Sequence, residues 1–153
     1  MSKTPDPPPA VSRETTLHVR DTCLCLHAQR AARALARRFD EVLRPFGLTN
    51  GQFSLMMSLN RPDPPTIGAA AAFLAMDRTT LTAALKPLER RGLVAVAAGR
   101  EDRRNRLLRL TPEGGALLAR VVPVWQVAHD ALEAGLEADP DLLRRGLVRV
   151  SAP

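Results

Sequence analysis

One stretch of the chain, residues 77–94, is marked at both ends as a single helix. Asp77 is a favourable N-cap, because its carboxylate can accept hydrogen bonds from the free backbone N–H groups of the first turn. Gly92 suits the position after the helix, because glycine has no Cβ and so adopts the left-handed conformation that is common there. Between these ends three leucines recur at helical spacing: Leu81, Leu85 and Leu88. The pattern predicts a helix that is buried on one side only.

The other side of this helix carries short hydroxyls and long cations: Arg78, Thr79, Thr82, Lys86 and Arg90. Threonine is short enough to let a helix approach base edges in the major groove of duplex DNA, and arginine and lysine reach guanine edges or phosphates. An ordinary solvated face has a similar composition. The helix alone therefore leaves both interpretations open.

The residues after the helix predict a β-hairpin with a basic tip. Leu93–Ala97 and Arg106–Leu110 are strand-like runs, and Gly99–Asn105 is a charged turn between them. Residues 78–106 hold eight basic and three acidic side chains, a net charge of +5, whereas the whole chain has a net charge of +6. The positive charge is therefore confined to one region, which is typical of a nucleic-acid-binding surface.

The aromatic content of the chain indicates which kind of nucleic acid it would bind. The chain has four phenylalanines, one tryptophan and no tyrosine. Single-stranded DNA and RNA are bound largely by stacking bases on aromatic side chains, so duplex DNA is favoured.

The length of the chain, 153 residues, suits one domain. No apolar run approaches the ~20 residues of a membrane span, and the first ten residues are not secretory. We therefore expect a cytoplasmic protein with no membrane contact.

The N-terminal part of the chain is predicted to be an arm followed by a long helix. Residues 1–14 include four closely spaced prolines and are expected to be disordered. Apolar residues at a spacing of three to four then predict one helix from Thr15 or Thr16 to about Arg44.

Two shorter helices are predicted before the capped helix. Thr49 and Gln52 form the pattern of a capping box, which opens a helix with four apolar side chains inward: Phe53, Met56, Met57 and Leu59. A Pro-rich loop at residues 61–65 follows, and Thr66 caps a second, Ala-rich helix that ends near Leu74. Two short helices, a tight turn and a basic helix are the order of a helix-turn-helix.

The C-terminal part is also predicted to be helical. Thr111, followed by proline, is a good start for a helix that runs towards Leu136. Pro123 lies inside this helix and is expected to kink it. A last short helix is predicted at Leu142–Val148.

Several motifs, in this order and spacing, resemble the MarR family of winged helix-turn-helix repressors over about residues 22–125. They are Phe46-Gly-Leu-Thr with Gln52, the helix end Leu88-Glu-Arg-Arg-Gly-Leu-Val, the wing sequence Asp102-Arg-Arg104 and Leu110-Thr-Pro-Glu-Gly114. The resemblance implies a mainly α fold with a small β-hairpin wing. Within a single domain at 15–153, it places the winged helix-turn-helix at about 47–110. N- and C-terminal helices, at about 15–45 and 111–150, would form a dimerisation region.

The resemblance also implies a homodimer on double-stranded DNA with a pseudo-palindromic operator. Two recognition helices would then lie about one DNA turn apart, roughly 34 Å. Arg104 would enter the minor groove, as the matching arginine does in the family, and Asp102 would support the wing. The candidate DNA-binding residues are Arg78, Thr79, Thr80, Thr82, Lys86, Arg90, Arg100, Arg103, Arg104 and Arg106.

Two kinds of signal could release the DNA. Cys25 aligns with the reactive thiol of the organic-peroxide-sensing branch of the family, and Cys23 lies two residues before it, so both are candidates for a redox role. That branch uses tyrosines to hold its thiol, and this chain has none; a nearby cation, His27 or Arg20, could lower the thiol pKa instead. A buried, inert cysteine is the alternative. A small-molecule effector, bound between the dimer helices and the DNA-binding lobe, is the other kind of signal.

Other classes of function have less support in the sequence. Cys25 with His27 or His129 lacks an evident oxyanion donor or acidic partner, so no enzyme activity is expected. The histidines and cysteines fit no tetrahedral zinc spacing, so neither a metal nor another cofactor is expected. A winged helix that binds another protein is the stronger alternative, and it would lack salt-dependent affinity for DNA.

Overall fold

The computed structural model describes residues 10–99 and 106–151. The chain forms two compact units, Met1–Leu35 and Ala36–Pro153. Residues 1–9 of the predicted arm lie outside the described residues. The predicted end of the arm at residue 14 is wrong, because the first helix already begins at Arg13.

The first unit contains α1 (Arg13–Thr22) and the N-terminal part of α2 (Leu24–Leu43), and the rest of α2 belongs to the second unit. Ser12 caps α1, because its hydroxyl accepts a hydrogen bond from the Thr15 N–H at 3.1 Å. This cap explains why the helix begins two residues before the predicted start, since serine is among the preferred N-cap residues.

The prediction of one helix through residues 15–44 is wrong, because the chain breaks at Cys23. Its ψ of 103° is extended and not helical. The Thr22 hydroxyl donates to the His18 carbonyl oxygen at 2.7 Å, and the Cys23 sulfur accepts from the Leu26 N–H at 3.4 Å. The second contact has the spacing of an N-cap, so α2 starts afresh after the break.

The second unit contains the remaining elements in the order of a winged helix-turn-helix. In chain order they are a 3-10 turn (Arg44–Phe46), α3 (Asn50–Ser58), α4 (Ile67–Phe73), α5 (Arg78–Arg90), β1 (Val94–Ala98), β2 (Arg106–Leu110), α6 (Pro112–Ala134) and α7 (Pro140–Ser151). The predicted fold class, mainly α with a small β-hairpin, is confirmed. The predicted ends of α4 and of both strands hold to within one residue.

The two strands form an antiparallel hairpin that rests on the segment before α4. Val94 pairs with Leu110 at the root, and Ala98 pairs with Arg106 at the end of the described part. Thr66 forms an isolated bridge with Leu107, next to a hydrogen bond from the Leu108 N–H to the Pro65 carbonyl at 2.9 Å. The hairpin is therefore attached at the start of the helix-turn-helix.

The core of the second unit lies where α3, α5 and α6 face one another. Its most buried side chains are Leu43, Leu55, Met56, Leu81, Leu88, Leu108, Val94 and Val121. Met57 was predicted to point inward and does not, since it is 40% exposed, whereas Leu55 was missed and is fully buried. The inward face of α3 is centred on Leu55 and Met56, and the next residue is turned by about 100° on a helix.

The last two helices differ from prediction at their ends. Helix α6 continues through Pro123 and stops at Ala134, and α7 is longer than the predicted Leu142–Val148. Arg144 of α7 donates to the carboxylates of Glu133 and Asp141, so α7 is tied to the end of α6. Within residues 10–99 and 106–151, no helix is long and apolar enough to cross a membrane.

Candidate nucleic-acid interface

Helix α5 begins at a carboxylate cap that also restrains one of the predicted contact residues. Asp77 accepts from the Thr80 backbone N–H at 2.8 Å and from the Thr80 hydroxyl at 2.6 Å. The Thr80 hydroxyl, and then its backbone N–H, hold the pKa of the exposed Asp77 carboxyl below its ordinary value. Because its proton is donated to Asp77, the Thr80 hydroxyl takes part in the cap of α5.

The end of α5 is a Schellman turn, which sets the direction of the chain into the hairpin. Gly92 has a φ of +67° and donates to the Glu89 carbonyl at 3.0 Å, while Leu93 donates to the Leu88 carbonyl at 2.9 Å. Both leucines are buried, as the predicted end of the helix required. The next residue, Val94, begins β1, so a turn of three residues joins α5 to the hairpin.

The two long sides of α5 are as different as the sequence predicted. Leu81, Leu85 and Leu88 are buried, and the opposite side exposes Arg78, Thr79, Lys86 and Arg90. Thr82 is only partly exposed, and its hydroxyl donates to the Arg78 carbonyl at 2.7 Å. Among the threonines of this face, Thr79 is the one whose hydroxyl forms no intrahelical bond within the described residues.

Arg78 lies against the first turn of the preceding helix. A Cβ added at Gly68 would come within 3.1 Å of the Arg78 Nη2 atom. The guanidinium is thus placed in the angle between α4 and α5, beside the first residues of both helices. This position is at the edge of the exposed face, whereas Lys86 and Arg90 lie along its length.

Arg91 was counted with the basic region, but the structure uses it to hold the fold together. Its Nη1 donates to the Gly47 carbonyl oxygen at 2.5 Å, and its Nη2 donates to the Phe46 carbonyl oxygen at 3.1 Å. Nothing in the sequence distinguished Arg91 from its neighbour Arg90, because the two carbonyls lie more than forty positions away.

The root of the wing is described and its tip is not. Arg106 opens β2 and is exposed. Thr111, the cap of α6, donates through its hydroxyl to the Gly92 carbonyl at 2.7 Å and through its N–H to the Leu93 carbonyl at 3.1 Å. The predicted contacts of the tip, namely Arg100, Arg103, Arg104 and the supporting Asp102, lie outside the described residues and stay predictions.

Comparison with known proteins agrees with this arrangement. The sequence profile of the MarR family matches residues 48–105, from the start of α3 to the wing. The Mycobacterium tuberculosis transcriptional regulator MosR, solved in complex with DNA, is 37% identical, with a TM-score of 0.75 over 84% of this chain and 93% of that chain. The chain belongs to the MarR family of transcriptional regulators.

Two transcriptional regulators of Bacillus subtilis are also similar. The helix-turn-helix regulator YwoH is 36% identical over 83 residues, which are 54% of this chain and 60% of that protein. A regulator named for organic hydroperoxide resistance is 27% identical over 101 residues, which are 66% of this chain and 69% of that protein. The match with YwoH thus spans less than two thirds of that relative.

The cysteine region of this MarR-family chain lies in the first unit. Cys25 is exposed, and its sulfur accepts from the Gln29 side-chain amide at 3.1 Å, so the alternative of a buried Cys25 does not hold. Both predicted cations form contacts with other groups. The His27 Nδ1 donates to the Cys23 backbone carbonyl at 2.8 Å, and Arg20 pairs with Asp21 at 2.6 Å.

Two neighbouring grooves lie where α3, β2 and α6 meet. One has a volume of about 450 Å³ and carries Arg61 and Arg109, neither of which forms an ion pair with a described residue. The other has a volume of about 420 Å³ and is walled largely by apolar side chains of α3 and α6. The grooves share Asn60, Leu110 and Gly115. No group of three His, Cys, Asp or Glu side chains suited to a metal occurs within residues 10–99 and 106–151.

Proposed function

We propose that this MarR-family chain binds duplex DNA sequence-specifically through the exposed face of α5, as a regulator of transcription. The observation that carries the proposal is the cationic face of Arg78, Lys86 and Arg90 on a helix whose other side is buried. A helix of this kind fits the major groove, where arginine and lysine reach base edges and phosphates. The similarity to MosR, a regulator solved in complex with DNA, supports it.

We further propose a homodimer on a pseudo-palindromic operator. In the first unit, Val19 of α1 and Leu24 of α2 are exposed, at 54% and 75%. In the second unit, α7 exposes a row of apolar side chains along its length: Leu142, Leu143, Leu147, Val148 and Val150. Contiguous exposed apolar surface marks an interaction site. A second copy would bury it and set two recognition helices about one DNA turn apart.

The proposed regulator acts as a repressor that leaves its operator on a signal, as the family resemblance implies. The two adjoining grooves support a small-molecule signal. They would suit an amphipathic organic anion, because one groove carries Arg61 and Arg109 and the other is largely apolar. Binding there would act on the joint between α3, the wing and α6, because all three line the grooves.

A second candidate is redox control through Cys25 in the same regulator. The thiol is exposed and lies beside the helix break at Cys23. The similarity to a regulator named for organic hydroperoxide resistance also favours this reading. A hydroperoxide would oxidise the thiolate to a sulfenic acid and would itself be reduced to the alcohol. The chain has no tyrosine, so any activation of the thiol would differ from that of the tyrosine-containing branch.

The test is selection of duplexes from a randomised pool by the purified protein, with its mass in the complex measured by analytical ultracentrifugation. The proposal predicts a pseudo-palindrome whose half-sites are about 10 base pairs apart, bound by two copies. Lys86→Ala should weaken binding to the selected duplex, whereas Glu89→Ala, also exposed on α5, should not. Recovery of no preferred sequence would contradict the proposal and favour a winged helix that binds protein.

A further inference from the structure

We propose that Arg91 is a positioning residue that holds the recognition helix α5 in its DNA-binding direction and does not itself contact DNA. The inference rests on the proposed DNA-binding function. It assigns a role to a residue that by its charge alone belongs to the basic region around α5.

The guanidinium of Arg91 forms a two-point attachment across the second unit. As the residue that ends α5, Arg91 donates from Nη1 to the Gly47 carbonyl oxygen at 2.5 Å and from Nη2 to the Phe46 carbonyl oxygen at 3.1 Å. Its planar fork presents two N–H donors in a fixed geometry, which lysine cannot reproduce. Hydrogen bonds from a charged donor are stronger than neutral ones. The last turn of α5 is therefore fixed to the 3-10 turn that follows α2.

This attachment lies at the joint between three parts of the unit. On one side, the Asp40 carboxylate of α2 accepts from the Asn50 N–H at 2.6 Å and holds the start of α3. On the other side, Thr111 donates to the carbonyls of Gly92 and Leu93 at the root of the wing. A shift of the end of α2 would thus move the end of α5 and the root of the wing together.

Gly47 fits this attachment in two ways. Its φ of +66° turns the chain so that its carbonyl can meet the guanidinium, and this conformation is readily reached only without a Cβ. A Cβ at this position would also come within 3.4 Å of both terminal nitrogens of Arg91. The turn and the arginine are therefore matched in shape as well as in hydrogen bonding.

The neighbouring residue Arg90 provides a matched control. It is exposed and forms no ion pair or side-chain hydrogen bond within the described residues, so its charge is available to phosphate. Each phosphate that a protein neutralises contributes about one unit to the slope of log K against log salt concentration. A positioning residue instead changes affinity and leaves this slope unchanged. Salt dependence therefore separates the two roles.

The experiment uses the full chain and the duplex that it selects from a randomised pool. Dissociation constants are measured against salt concentration for wild type, Arg91→Ala, Arg91→Lys and Arg90→Ala. We expect Arg91→Ala to bind about fivefold more weakly with the wild-type slope. Arg91→Lys should remain weak, since it restores the charge and not the fork. Arg90→Ala should lower the slope by about one unit.

Two further measurements separate positioning from a loss of folding. Trp125, the single tryptophan, stacks on Phe53 at 5.9 Å, so its fluorescence reports whether each variant keeps the core at the assay temperature. Hydrogen exchange of the Leu48 and Leu93 amides, which flank the attachment, should accelerate in Arg91→Ala and not in Arg90→Ala. If the arginine served stability alone, a variant folded at the assay temperature would bind DNA with the wild-type constant.

A lower salt slope for Arg91→Ala, restored by Arg91→Lys, would show a phosphate contact and overturn the positioning role. Wild-type affinity in a folded Arg91→Ala would also overturn it, while the proposed DNA-binding function would stand. If the wild-type chain selected no duplex, the proposed function and the positioning role would fail together.

Discussion

Gly114 gives the sharpest prediction about how the wing is attached to α6. A Cβ at this position would lie within 2.9 Å of the Leu110 Cδ1 atom and would overlap the Leu93 carbonyl oxygen. This Cβ would be about 1 Å closer to the carbonyl oxygen than carbon and oxygen atoms usually approach each other. That same oxygen accepts from the Thr111 N–H at 3.1 Å. Gly114→Ala must therefore push α6 and the root of the wing apart, whereas Gly115→Ala meets nothing within 4 Å.

The two substitutions should change the free energy of unfolding in opposite directions. For Gly114→Ala, loss of the two Thr111 bonds to the wing root costs about 2 kcal/mol. Displacing packed backbone costs about 2 kcal/mol more, and the better helix propensity of alanine returns about 1 kcal/mol. The net loss is about 3 kcal/mol. For Gly115→Ala only the better helix propensity of alanine applies, so its free energy of unfolding should rise by up to about 1 kcal/mol.

The assay is urea denaturation at one fixed protein concentration, followed by Trp125 fluorescence. With an m-value of about 2 kcal/mol/M, a difference of about 4 kcal/mol places the two midpoints about 2 M apart. At a temperature where Gly114→Ala is still folded, its affinity for DNA should also be lower, because the root of the wing has moved. Equal midpoints for the two variants would refute the close approach of α6 to Leu93.

Three further predictions concern Asp77, Arg78 and Cys25. Asp77→Asn should make the stability of the protein less sensitive to acid. The Thr80 hydrogen bonds lower the pKa of the Asp77 carboxyl, so the stability that this carboxylate contributes is complete at neutral pH and is lost as the pH falls below about 4. Thermal melts of the two proteins at pH 3 and pH 7 measure the difference. Arg78→Ala should weaken DNA binding about threefold, or about 0.6 kcal/mol, without lowering the melting temperature, because Arg78 is exposed on α5; unchanged affinity would mean that Arg78 does not contact DNA. Cys25→Ser should retain its DNA in cumene hydroperoxide if the thiol is the sensor, and an equal loss of DNA in variant and wild type would exclude it.

Much of the fold could be predicted because residues next to the helices signal where the helices begin and end. Asp77, Thr66 and Thr111 each cap the helix that they precede, and each accepts the expected backbone hydrogen bond. Gly92 reaches the left-handed conformation that the end of α5 needs. Side-chain caps, glycine turns and helical spacing act within a few residues, so they can be recognised without knowledge of the three-dimensional structure.

The features that the sequence did not reveal are those in which a specific contact decides the outcome. Local bonds of Thr22 and Cys23 break the predicted long helix, although the apolar spacing continues through the break. The hydroxyl of Thr80 is engaged by its own cap, which the spacing of exposed residues did not reveal. Arg91 bonds to carbonyls that are distant in sequence. Long-range partners of this kind leave no periodic pattern, so the role of Arg91 required the structure.

The most direct test of the central claim is the salt dependence of DNA binding. Fluorescence anisotropy would measure the dissociation constant of the selected duplex, and of an unrelated duplex of the same length, at several salt concentrations. Recognition by the exposed face of α5 predicts a strong preference for the selected duplex and a steep fall of affinity with salt, with a shallower slope for Arg90→Ala. Equal affinity for the two duplexes, or binding that does not change with salt, would contradict it.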